Sequence, residues 1–515
     1  MEKVRILWVD DEIDLLKPHI IFLESRGYDV STASNGEDAL DMMGSNSYDI
    51  VFLDENMPGI SGLETLSVIF EKYKIPVVMI TKSEEEFIME EALGAKISDY
   101  LIKPVNPNQI LLSLKKNLDT KRLVNDKVTS AYQKEFREIS MALMDVRSIR
   151  SWNEIYQKLV YWQLELDNID ASGMLEIIEM QKSEANSLFF KYVKNNYKQW
   201  LEGKGDRPVL SHTLMKEKVF PHLNTTKPTF FILIDNLRYD QWKVLQPIIE
   251  QWFNIEEEST FYSILPTATQ YSRNSIFSGL TPLDLSNRFP KLWKHDHEEG
   301  GKNLHEEAFL SDQMKRLGMT EKMVYHKIVK KQYGDKLVAQ FNNLLQNNFN
   351  VLVYNFVDML SHAKTEMDMI KELAANDKSY RDLTRTWFEN STLLDMLKKI
   401  ADYDGTLFIT SDHGTINVGV ASKVIADRET SSNLRYKTGK RIQYEEKDVM
   451  LVSNPKEYFL PSANLSSTYI FAKENLFLTY PNNYNHYVNY FKNSYQHGGI
   501  SLEEIVCPIV RMSPK

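Results

Sequence analysis

The stretch Asp49-Ile-Val-Phe-Leu-Asp-Glu-Asn-Met-Pro-Gly59 decides the fold of the N-terminal part of the chain. A short apolar run leads directly into Asp54, and a Pro-Gly pair marks a turn soon after it. Similar apolar runs occupy residues 5–9, 76–80 and 99–102, with amphipathic helical segments between them. Apolar strands that alternate with helices predict a doubly wound parallel sheet whose two faces are covered by helices.

Length, charge and cysteine content narrow the class of protein. A chain of 515 residues exceeds the size at which one core keeps growing, so two or three domains are expected. The 61 basic and 71 acidic residues give a net charge of −10, which disfavours a protein whose main task is to coat DNA. No apolar stretch reaches the roughly 18 residues of a membrane span, and a single cysteine, Cys507, is typical of a reducing compartment. We therefore expect a cytoplasmic protein.

The middle of the chain has a different pattern. Between residues 110 and 200 apolar residues recur at helical spacing, glycine falls to one residue and proline is absent. This pattern predicts a helical bundle that acts as a linker. The segment contains no sequence typical of a DNA-binding helix-turn-helix motif with basic recognition residues. A second α/β pattern begins after the linker-like stretch 203–208. The predicted domains are residues 1–118, 119–205 and 206–515.

Acidic and polar residues close the apolar runs of the first domain. Asp10 and Asp11 follow the first run, Asp54 the second, Thr81 the third and Lys103 the fourth. Phosphoryl transfer to an aspartate needs a carboxylate nucleophile, a divalent cation, a cationic side chain and a hydroxyl group. Asp54 can supply the nucleophile, and the three carboxylates together suit Mg²⁺. The sequence also predicts a cis peptide bond between Lys103 and Pro104.

This region resembles the response-regulator receiver family over its full length, including residues 54–59 and the aromatic Tyr100. The resemblance implies a (βα)5 receiver domain that is phosphorylated on Asp54 by a sensor histidine kinase. It also implies that Thr81 and Tyr100 reorient as the switch, while Lys103 contacts the phosphoryl group. Receivers of this kind commonly pair when phosphorylated, so a phosphorylation-dependent homodimer is expected.

The C-terminal half places candidate metal ligands after strand-like runs. Asp412-His413-Gly414 offers two adjacent ligands after the run 406–410. Asp358 and His362 lie four residues apart, on one face of a helix. Two zinc-like ions a few ångströms apart need about six ligands, mostly Asp and His, and activate a nucleophile for displacement at phosphorus. The pattern therefore favours a dinuclear metal site.

Together with Asp235, a threonine segment and His497, these motifs resemble the alkaline phosphatase superfamily, and within it the PglZ branch. The resemblance covers residues 206–515 and implies an alkaline-phosphatase-like α/β domain with two Zn²⁺ ions. One ion would be held by Asp358, His362 and His497, and the other by Asp235, Asp412 and His413, with Thr269 as the metal-activated nucleophile. Thr267 and Ser272 are the alternative nucleophiles.

The same resemblance favours a phosphodiesterase over a monoesterase, because the pattern lacks an extra Mg²⁺ site and its two-metal relatives cleave nucleotide esters. An oligonucleotide or cyclic nucleotide is the expected substrate. Arg273 and Asn274, one turn beyond Thr269, either bind substrate phosphate or lie on the outer face of the helix. A basic run from Arg428 to Arg441 either contacts substrate or forms a solvated loop.

The order of receiver, helical linker and PglZ-type domain resembles the response regulators associated with type IX protein secretion. That resemblance implies a sensor histidine kinase of the PorY type and a transcription or secretion-system partner. An alternative hypothesis is a non-catalytic regulator that acts by binding protein or promoter, with structural zinc. The intact set of ligands and nucleophile favours the hypothesis of an enzyme over this alternative.

Overall fold

The computed structural model describes residues 4–81, 97–105, 107–114, 117–118, 120–169, 172–223, 226–427, 430–464 and 466–515. The chain divides into two compact units, Met1–Gln133 and Lys134–Lys515. The overall class is α/β, as predicted, with helices dominating the segment between the two sheets.

The first unit is built on a five-stranded parallel sheet in the order β2-β1-β3-β4-β5. Its strands are β1 Arg5–Val9, β2 Asp29–Ala33, β3 Ile50–Asp54, β4 Val77–Thr81 and β5 Asp99–Ile102. Its helices are α1 Ile13–Glu24, α2 Gly36–Ser45, α3 Gly62–Lys72 and α4 Pro107–Leu114. The helix that a (βα)5 order requires between β4 and β5 falls on residues 82–96, outside the described part of the chain.

Both faces of this sheet are buried, which is why its strands read as continuous apolar runs. Leu7 and Val51 belong to the core on one face, and Trp8 and Phe52 belong to the core on the other. The edge strand β2, with the sequence Asp-Val-Ser-Thr-Ala, is half-buried along most of its length, as is the other edge strand, β5. The sequence pattern missed β2 because this strand is rich in polar residues and has no continuous apolar run.

The middle segment folds into three long helices, α5 Thr120–Met144, α6 Ile149–Asn168 and α7 Ser172–Leu201. Helix α6 begins at the cap residue Ser148, whose hydroxyl oxygen accepts a hydrogen bond from the amide of Ser151. Its buried face includes Trp152, which packs edge-on against Phe189 of α7. The predicted helical character of this segment is confirmed, and α6 and α7 belong wholly to the second unit.

The main sheet of the second unit has six strands in the order β7-β18-β10-β6-β9-β8. These strands are β6 Thr229–Ile234, β7 Phe253–Tyr262, β8 Met323–Ile328, β9 Phe349–Tyr354, β10 Thr406–Thr410 and β18 Val506–Pro514. The four strands β10, β6, β9 and β8 run parallel, whereas β18 is antiparallel to β10 and to β7. The sheet is thus mixed, with its parallel strands delivering their carboxyl ends to one edge.

Helices surround this sheet. They are α8 Ser211–Leu214, α9 Tyr239–Ile249, α10 Thr269–Ser278, α11 Pro282–Arg288, α12 Glu306–Arg316, α13 Lys331–Ala339, α14 Phe341–Leu344, α15 Phe356–Glu366, α16 Asp368–Leu373, α17 Asp377–Glu389, α18 Thr392–Ala401, α19 Tyr484–Phe491 and α20 Leu502–Ile505. Between α8 and β6 the chain also forms a π-helical turn, Met215–Val219, and a 3₁₀ turn, Phe220–His222.

Three small sheets form the region between β10 and β18. They pair β11 Ile416–Asn417 with β17 Tyr495–Gln496, and β12 Val420–Lys423 with β16 Leu476–Thr479. The third has the order β13-β15-β14, from Tyr436–Gly439, Thr468–Ala472 and Val449–Val452. The region between Asp412 and His497, which we call the insertion, is therefore a folded substructure with its own buried clusters.

Candidate metal centres

The first acidic cluster lies at the carboxyl edge of the five-stranded sheet. Asp10 and Asp11 directly follow β1, and Asp54 is the last residue of the neighbouring strand β3. One carboxylate oxygen from each lies within 4.8 Å of the others. Asp10 and Asp54 are buried, whereas Asp11 is exposed. Three hard oxygen ligands at this spacing fit a divalent cation such as Mg²⁺.

Lys103 brings a positive charge to this cluster from the end of β5. Its Nζ lies 2.9 Å from Asp10 Oδ2 and 2.7 Å from Asp54 Oδ2. Burial raises the pKa of Asp54, and the ammonium of Lys103 opposes that rise. Burial also works to lower the pKa of Lys103, but the two carboxylates outweigh it and the pKa is raised. The predicted cis bond between Lys103 and Pro104 is confirmed.

The two predicted switch residues lie on the neighbouring strands β4 and β5. Thr81 is the buried last residue of β4, and it pairs with Ile102 just before Lys103. Tyr100 lies in β5 opposite Met79, with 39% of its surface exposed. A buried hydroxyl and a half-exposed aromatic ring on neighbouring strands are compatible with a switch, and that role stays a prediction.

The second cluster lies at the carboxyl ends of β6 and β10, which are adjacent and parallel. Asp235 comes one residue after β6, and Asp412 and His413 follow β10. All three are buried, with ligand atoms within 4.8 Å of one another. His413 places Nδ1 3.0 Å from the Gly414 carbonyl oxygen, so an Nδ1–H donor leaves Nε2 free. This set offers two oxygens and one nitrogen.

Gly414, next to the Asp412-His413 pair, lies against the backbone of residues 503–504. A side chain at this position would meet the Glu503 carbonyl oxygen at 1.9 Å, and the Gly414 amide donates to the Glu504 carbonyl oxygen at 3.0 Å. Gly414 is not among the described glycines with positive φ. Close approach of helix α20, rather than turn geometry, excludes a side chain.

The third cluster combines Asp358 and His362 of α15 with His497, which follows β17. His362 Nε2 is 3.6 Å and His497 Nε2 is 3.9 Å from the Asp358 carboxylate. His497 places Nδ1 3.2 Å from the Thr267 carbonyl oxygen, which orients its ring. Burial lowers the pKa of His497 well below its ordinary value, and the neighbouring imidazoles of His413 and His362 lower it further. A neutral His497 is suited to bind a metal.

The second and third clusters are neighbours. The rings of His413 and His497 stack with their centroids 4.3 Å apart, and Asn236 bridges the two carboxylate groups. Its backbone amide donates to Asp412 Oδ1 at 3.1 Å, and its side-chain amide donates to Asp358 Oδ1 at 3.4 Å. The structure therefore brings all six predicted ligands into one site, in the two groups of three that were expected.

Thr269 is the candidate nucleophile that faces this site. Its Oγ1 lies 3.0 Å from His413 Nε2 and 3.5 Å from Asp235 Oδ1. The hydroxyl of Thr267 instead donates to the Gly499 carbonyl oxygen at 2.9 Å and accepts from the Gly498 amide. Ser272 donates to the Ala268 carbonyl oxygen one helical turn back. Thr269 is also the first residue of α10, as predicted.

Arg273 has a position that the sequence did not anticipate. It is fully buried, so the expectation of an outer helix face is wrong. Its Nε donates to Asp412 Oδ2 at 2.9 Å, and its Nη2 forms an ion pair with Asp235. Burial raises the pKa of Asp235 despite the opposing guanidinium. For Asp412, burial is outweighed by the charges of His413 and Arg273, which lower the pKa to about 2.

Asn274 is likewise buried inside the protein. Its side-chain amide donates to the carbonyl oxygens of Gln270 and Lys302, at 2.8 and 3.1 Å. Asn303 donates to the Asn274 side-chain oxygen at 3.2 Å and to the Thr269 carbonyl oxygen at 2.8 Å. These bonds fix the loop around residue 303 against the start of α10, and a substrate contact of Arg273 or Asn274 stays a prediction.

Two asparagines that the sequence analysis missed support the metal ligands. Asn236 follows Asp235 directly and has a left-handed backbone with φ of 65°. Asn355 donates to Asp235 Oδ2 at 2.7 Å. Asn236 is the second residue after β6 and Asn355 the first after β9, and this position near a strand end was the available signal, since strand ends carry other site residues.

The basic run of the insertion is largely not a solvated loop. Arg435 is fully buried and its Nη2 lies 2.7 Å from Glu504 Oε2, while Lys437 is buried two residues further on. Lys440 is half-buried and Arg441 is exposed. Arg428 lies outside the described residues. The solvated-loop expectation is therefore wrong for Arg435 and Lys437.

Three family models match successive parts of the chain. Residues 6–115 match the response regulator receiver domain, and residues 122–201 match the PorX response regulator linker domain. Residues 214–512 match the BREX system PglZ alkaline phosphatase-like domain. This order agrees with the organisation that the sequence resembled.

Curated relatives are similar over part of the chain. The transcriptional regulatory protein ResD of Bacillus subtilis is 34% identical over 113 residues, which are 22% of this chain and 47% of ResD. The CpxR homolog of Haemophilus influenzae is 37% identical over 113 residues, which are 22% of this chain and 48% of that protein. The chain thus spans about half the length of these relatives.

Solved receiver structures are similar over a comparable length. The response regulator TrrA of Thermotoga maritima has 35% identity, covering 22% of this chain and 97% of that chain, with a TM-score of 0.21. CheY4 of Vibrio cholerae has 30% identity, covering 22% of this chain and 99% of that chain, also with a TM-score of 0.21. Among the described helices, none is long and apolar enough to cross a membrane.

Proposed function

Because the chain belongs to the PglZ alkaline phosphatase-like family, we propose that residues 206–515 form a metal-dependent phosphodiesterase acting on nucleotide-type phosphoesters. The observation that carries this proposal is the Thr269 hydroxyl, 3.0 Å from His413 Nε2 and 3.5 Å from Asp235. An oligonucleotide or a cyclic nucleotide is the proposed substrate. The receiver domain implies a phosphodonor such as a histidine kinase.

The donor set supports two divalent ions, with Zn²⁺ as the proposed metal. Asp235, Asp412 and His413 form one set of mixed oxygen and nitrogen ligands, to which Thr269 adds its hydroxyl. Asp358, His362 and His497 form the other set. When bound, the ions supply Lewis-acid stabilisation of charge on the phosphoryl oxygens and lower the pKa of a coordinated hydroxyl group.

The chain's own residues account for the rest of the reaction. Thr269 Oγ attacks phosphorus, a P–O bond to one ester alcohol breaks, and that alcohol leaves with a proton. Water then hydrolyses the phosphothreonine ester, which releases a phosphomonoester and restores the hydroxyl. Thr269 is held at the start of α10, where free backbone amides favour an anion. Arg273 keeps Asp235 and Asp412 oriented through its contacts with both carboxylates.

For the receiver we propose phosphorylation of Asp54 by a sensor histidine kinase of the PorY type, with Mg²⁺ held by Asp10, Asp11 and Asp54. Lys103 is already placed to bind a phosphoryl oxygen, because its Nζ contacts Asp54. Phosphorylation then promotes a homodimer and changes access to the metal site. The match to the PorX linker supports a role in regulating type IX secretion from the cytoplasm.

The nucleophile is tested by exchanging single hydroxyl groups in the full-length, zinc-loaded protein. Thr269→Ala should lower hydrolysis of bis(p-nitrophenyl) phosphate by about a thousandfold or more, because the group that forms the covalent ester is gone. Ser272→Ala, one turn along the same helix, should retain activity within about threefold, because its hydroxyl only bonds a helix carbonyl. Metal content measured by mass spectrometry must match in all three proteins.

Two results would contradict the assignment. Loss of activity in Ser272→Ala but not in Thr269→Ala would move the nucleophile to Ser272. Zinc bound without any hydrolysis, and no effect of Thr269→Ala, would favour the alternative of a non-catalytic regulator that binds protein or promoter.

The proposed coupling between phosphorylation of Asp54 and the output domain is tested with beryllofluoride as a phosphate mimic. The mimic should increase the sedimentation coefficient and change turnover of the wild type, while Asp54→Asn should not respond, because the acyl-phosphate site is removed. If sedimentation and turnover of the wild type both stay unchanged, phosphorylation does not control the output domain.

A further inference from the structure

A cavity of about 530 Å³ is lined by residues of the insertion. None of its lining residues is a candidate metal ligand or nucleophile. Its walls are mainly apolar and aromatic, and include Ile425, Leu434, Leu478, Tyr480, Tyr487 and Phe491. Cavities of this size, apolar with a few polar groups, are typical of sites for small organic ligands.

One charged side chain is buried in the wall of this cavity. Lys437 has 1% of its surface exposed, and its Nζ lies 4.5 Å above the ring centre of Tyr480. Its ammonium donates a hydrogen bond to the Ser431 carbonyl oxygen at 3.1 Å. Among the described residues, no carboxylate lies within ion-pair distance of Lys437. An ammonium has three N–H donors, so the protein satisfies this one incompletely.

Arg435, two residues before Lys437, is a buried structural cation whose hydrogen bonds can be compared with those of Lys437. Its guanidinium donates to both carboxylate oxygens of Glu504, at 3.1 and 2.7 Å, and to backbone carbonyl oxygens of Glu474 and Lys473. A buried charge is costly unless it is paired and fully hydrogen-bonded. Arg435 meets this requirement from within the chain, whereas Lys437 has no carboxylate partner in the part of the chain that the structure describes.

Among the described residues that line the cavity, the one carboxylate does not pair with Lys437. Asp427 also lines the cavity, but it is exposed and forms no described ion pair with Lys437. Burial alone lowers the pKa of Lys437 to about 7. An anionic group of a molecule inside the cavity would be a counter-charge for the protonated amine.

We propose that this cavity binds a small organic anion, whose carboxylate or phosphoryl group pairs with the Lys437 ammonium. The body of the ligand is apolar or aromatic and packs against Tyr480, Leu478 and Phe491. An anion satisfies the remaining donors of the ammonium, and the aromatic walls bury the rest of the ligand. This site does not depend on the activity proposed for the metal centres.

The first test is equilibrium binding of 8-anilinonaphthalene-1-sulfonate, an aromatic anion, to the full chain, followed by fluorescence. Lys437→Met should weaken binding at least about tenfold, because a charge-assisted hydrogen bond is lost. Lys440→Met, three residues along on the same basic run, is the matched control and should leave the affinity unchanged. The uncharged probe N-phenyl-1-naphthylamine should bind the wild type and Lys437→Met equally.

A second measurement needs no variant. Pyridoxal 5′-phosphate, an anionic aromatic aldehyde, forms an imine with a lysine amine as water leaves, and borohydride then reduces the C=N bond. Peptide mass spectrometry should find Lys437 labelled ahead of exposed lysines, and the anilinonaphthalene sulfonate should protect it. Equal probe affinity for wild type and Lys437→Met, or labelling of Lys437 that the anion does not block, overturns the proposal.

Discussion

The two units of the chain each hold an acidic cluster with a cation of the protein's own, and the two cations differ in burial. In the receiver, Lys103 lies between Asp10 and Asp54 and keeps 16% of its side chain exposed. In the output domain, Arg273 lies between Asp235 and Asp412 with none of its side chain exposed. Both arrangements place two carboxylates around one cation.

The difference agrees with the function proposed for each cluster. The proposed phosphorylation would require a phosphoryl group to enter and leave the receiver cluster, and a flexible lysine near solvent could move from carboxylate to phosphate. The proposed metal site would instead require ligands of fixed geometry. A planar guanidinium that bonds two carboxylates at once holds them in place, because its donors have fixed directions. The burial of the two cations therefore supports a switch in the one cluster and a fixed framework in the other.

The largest expected effect comes from removing the buried cation. Arg273→Met leaves Asp235 and Asp412 without their ion-pair partner, so the output domain should lose about 3–5 kcal/mol of unfolding free energy in chelator. Added Zn²⁺ should reduce that loss, because an ion that binds the folded state stabilises it. Urea unfolding followed by tryptophan fluorescence measures both. Arg288→Met, which breaks an exposed pair with Asp312, should cost about 1 kcal/mol or less.

Removal of a buried cation that has no described carboxylate partner should change the unfolding free energy in the opposite direction. Lys437→Met should raise the unfolding free energy at pH 7 by on the order of 3 kcal/mol, because burial lowers the pKa of Lys437 to about 7. Between that pH and the lysine's ordinary pKa the unfolded chain binds more protons, so the stability of the wild type rises with pH. The advantage of Lys437→Met should therefore shrink towards about pH 10.

Thermal unfolding at several pH values, with Lys440→Met as control, checks this prediction. If Lys437→Met is less stable than the wild type at pH 7, the lysine is compensated within the folded chain. In that case its burial does not require a ligand.

The smallest effect is expected at the receiver. Lys103→Met should cost about 1–2 kcal/mol, less than Arg273→Met, because Lys103 is partly solvated and its charge is screened. Mg²⁺ should offset the loss. Calorimetry of the full chain with and without Mg²⁺ measures this, and Lys17→Met, whose pair with Asp14 is exposed, should have almost no effect. A loss at Lys103 as large as that at Arg273 would remove the distinction between the two clusters.

Positions in the candidate site could be predicted where they depend on a pattern within a few neighbouring residues. A fully buried strand is an uninterrupted apolar run, and the residue at its end lies at the sheet edge where ligands gather. This is why Asp54, Asp235 and Asp412 could be located at strand ends, whereas the division of the ligands into two groups of three was implied by the resemblance to the alkaline phosphatase superfamily. The half-buried edge strand β2 has no such run and was missed.

By itself, the sequence determined the α/β class, the helical middle, and the strand ends that carry acidic and imidazole groups, because each depends on neighbours within a few residues. Only the tertiary structure decided which cations are buried and with what partners. Arg273 bonds Asp412 across 139 residues, and Asn355 bonds Asp235 across 120. Arg435 has a carboxylate partner and Lys437 has none among the described residues, although they are two residues apart in one sequence. Burial and pairing depend on chain segments that meet only on folding, so no local pattern contains them.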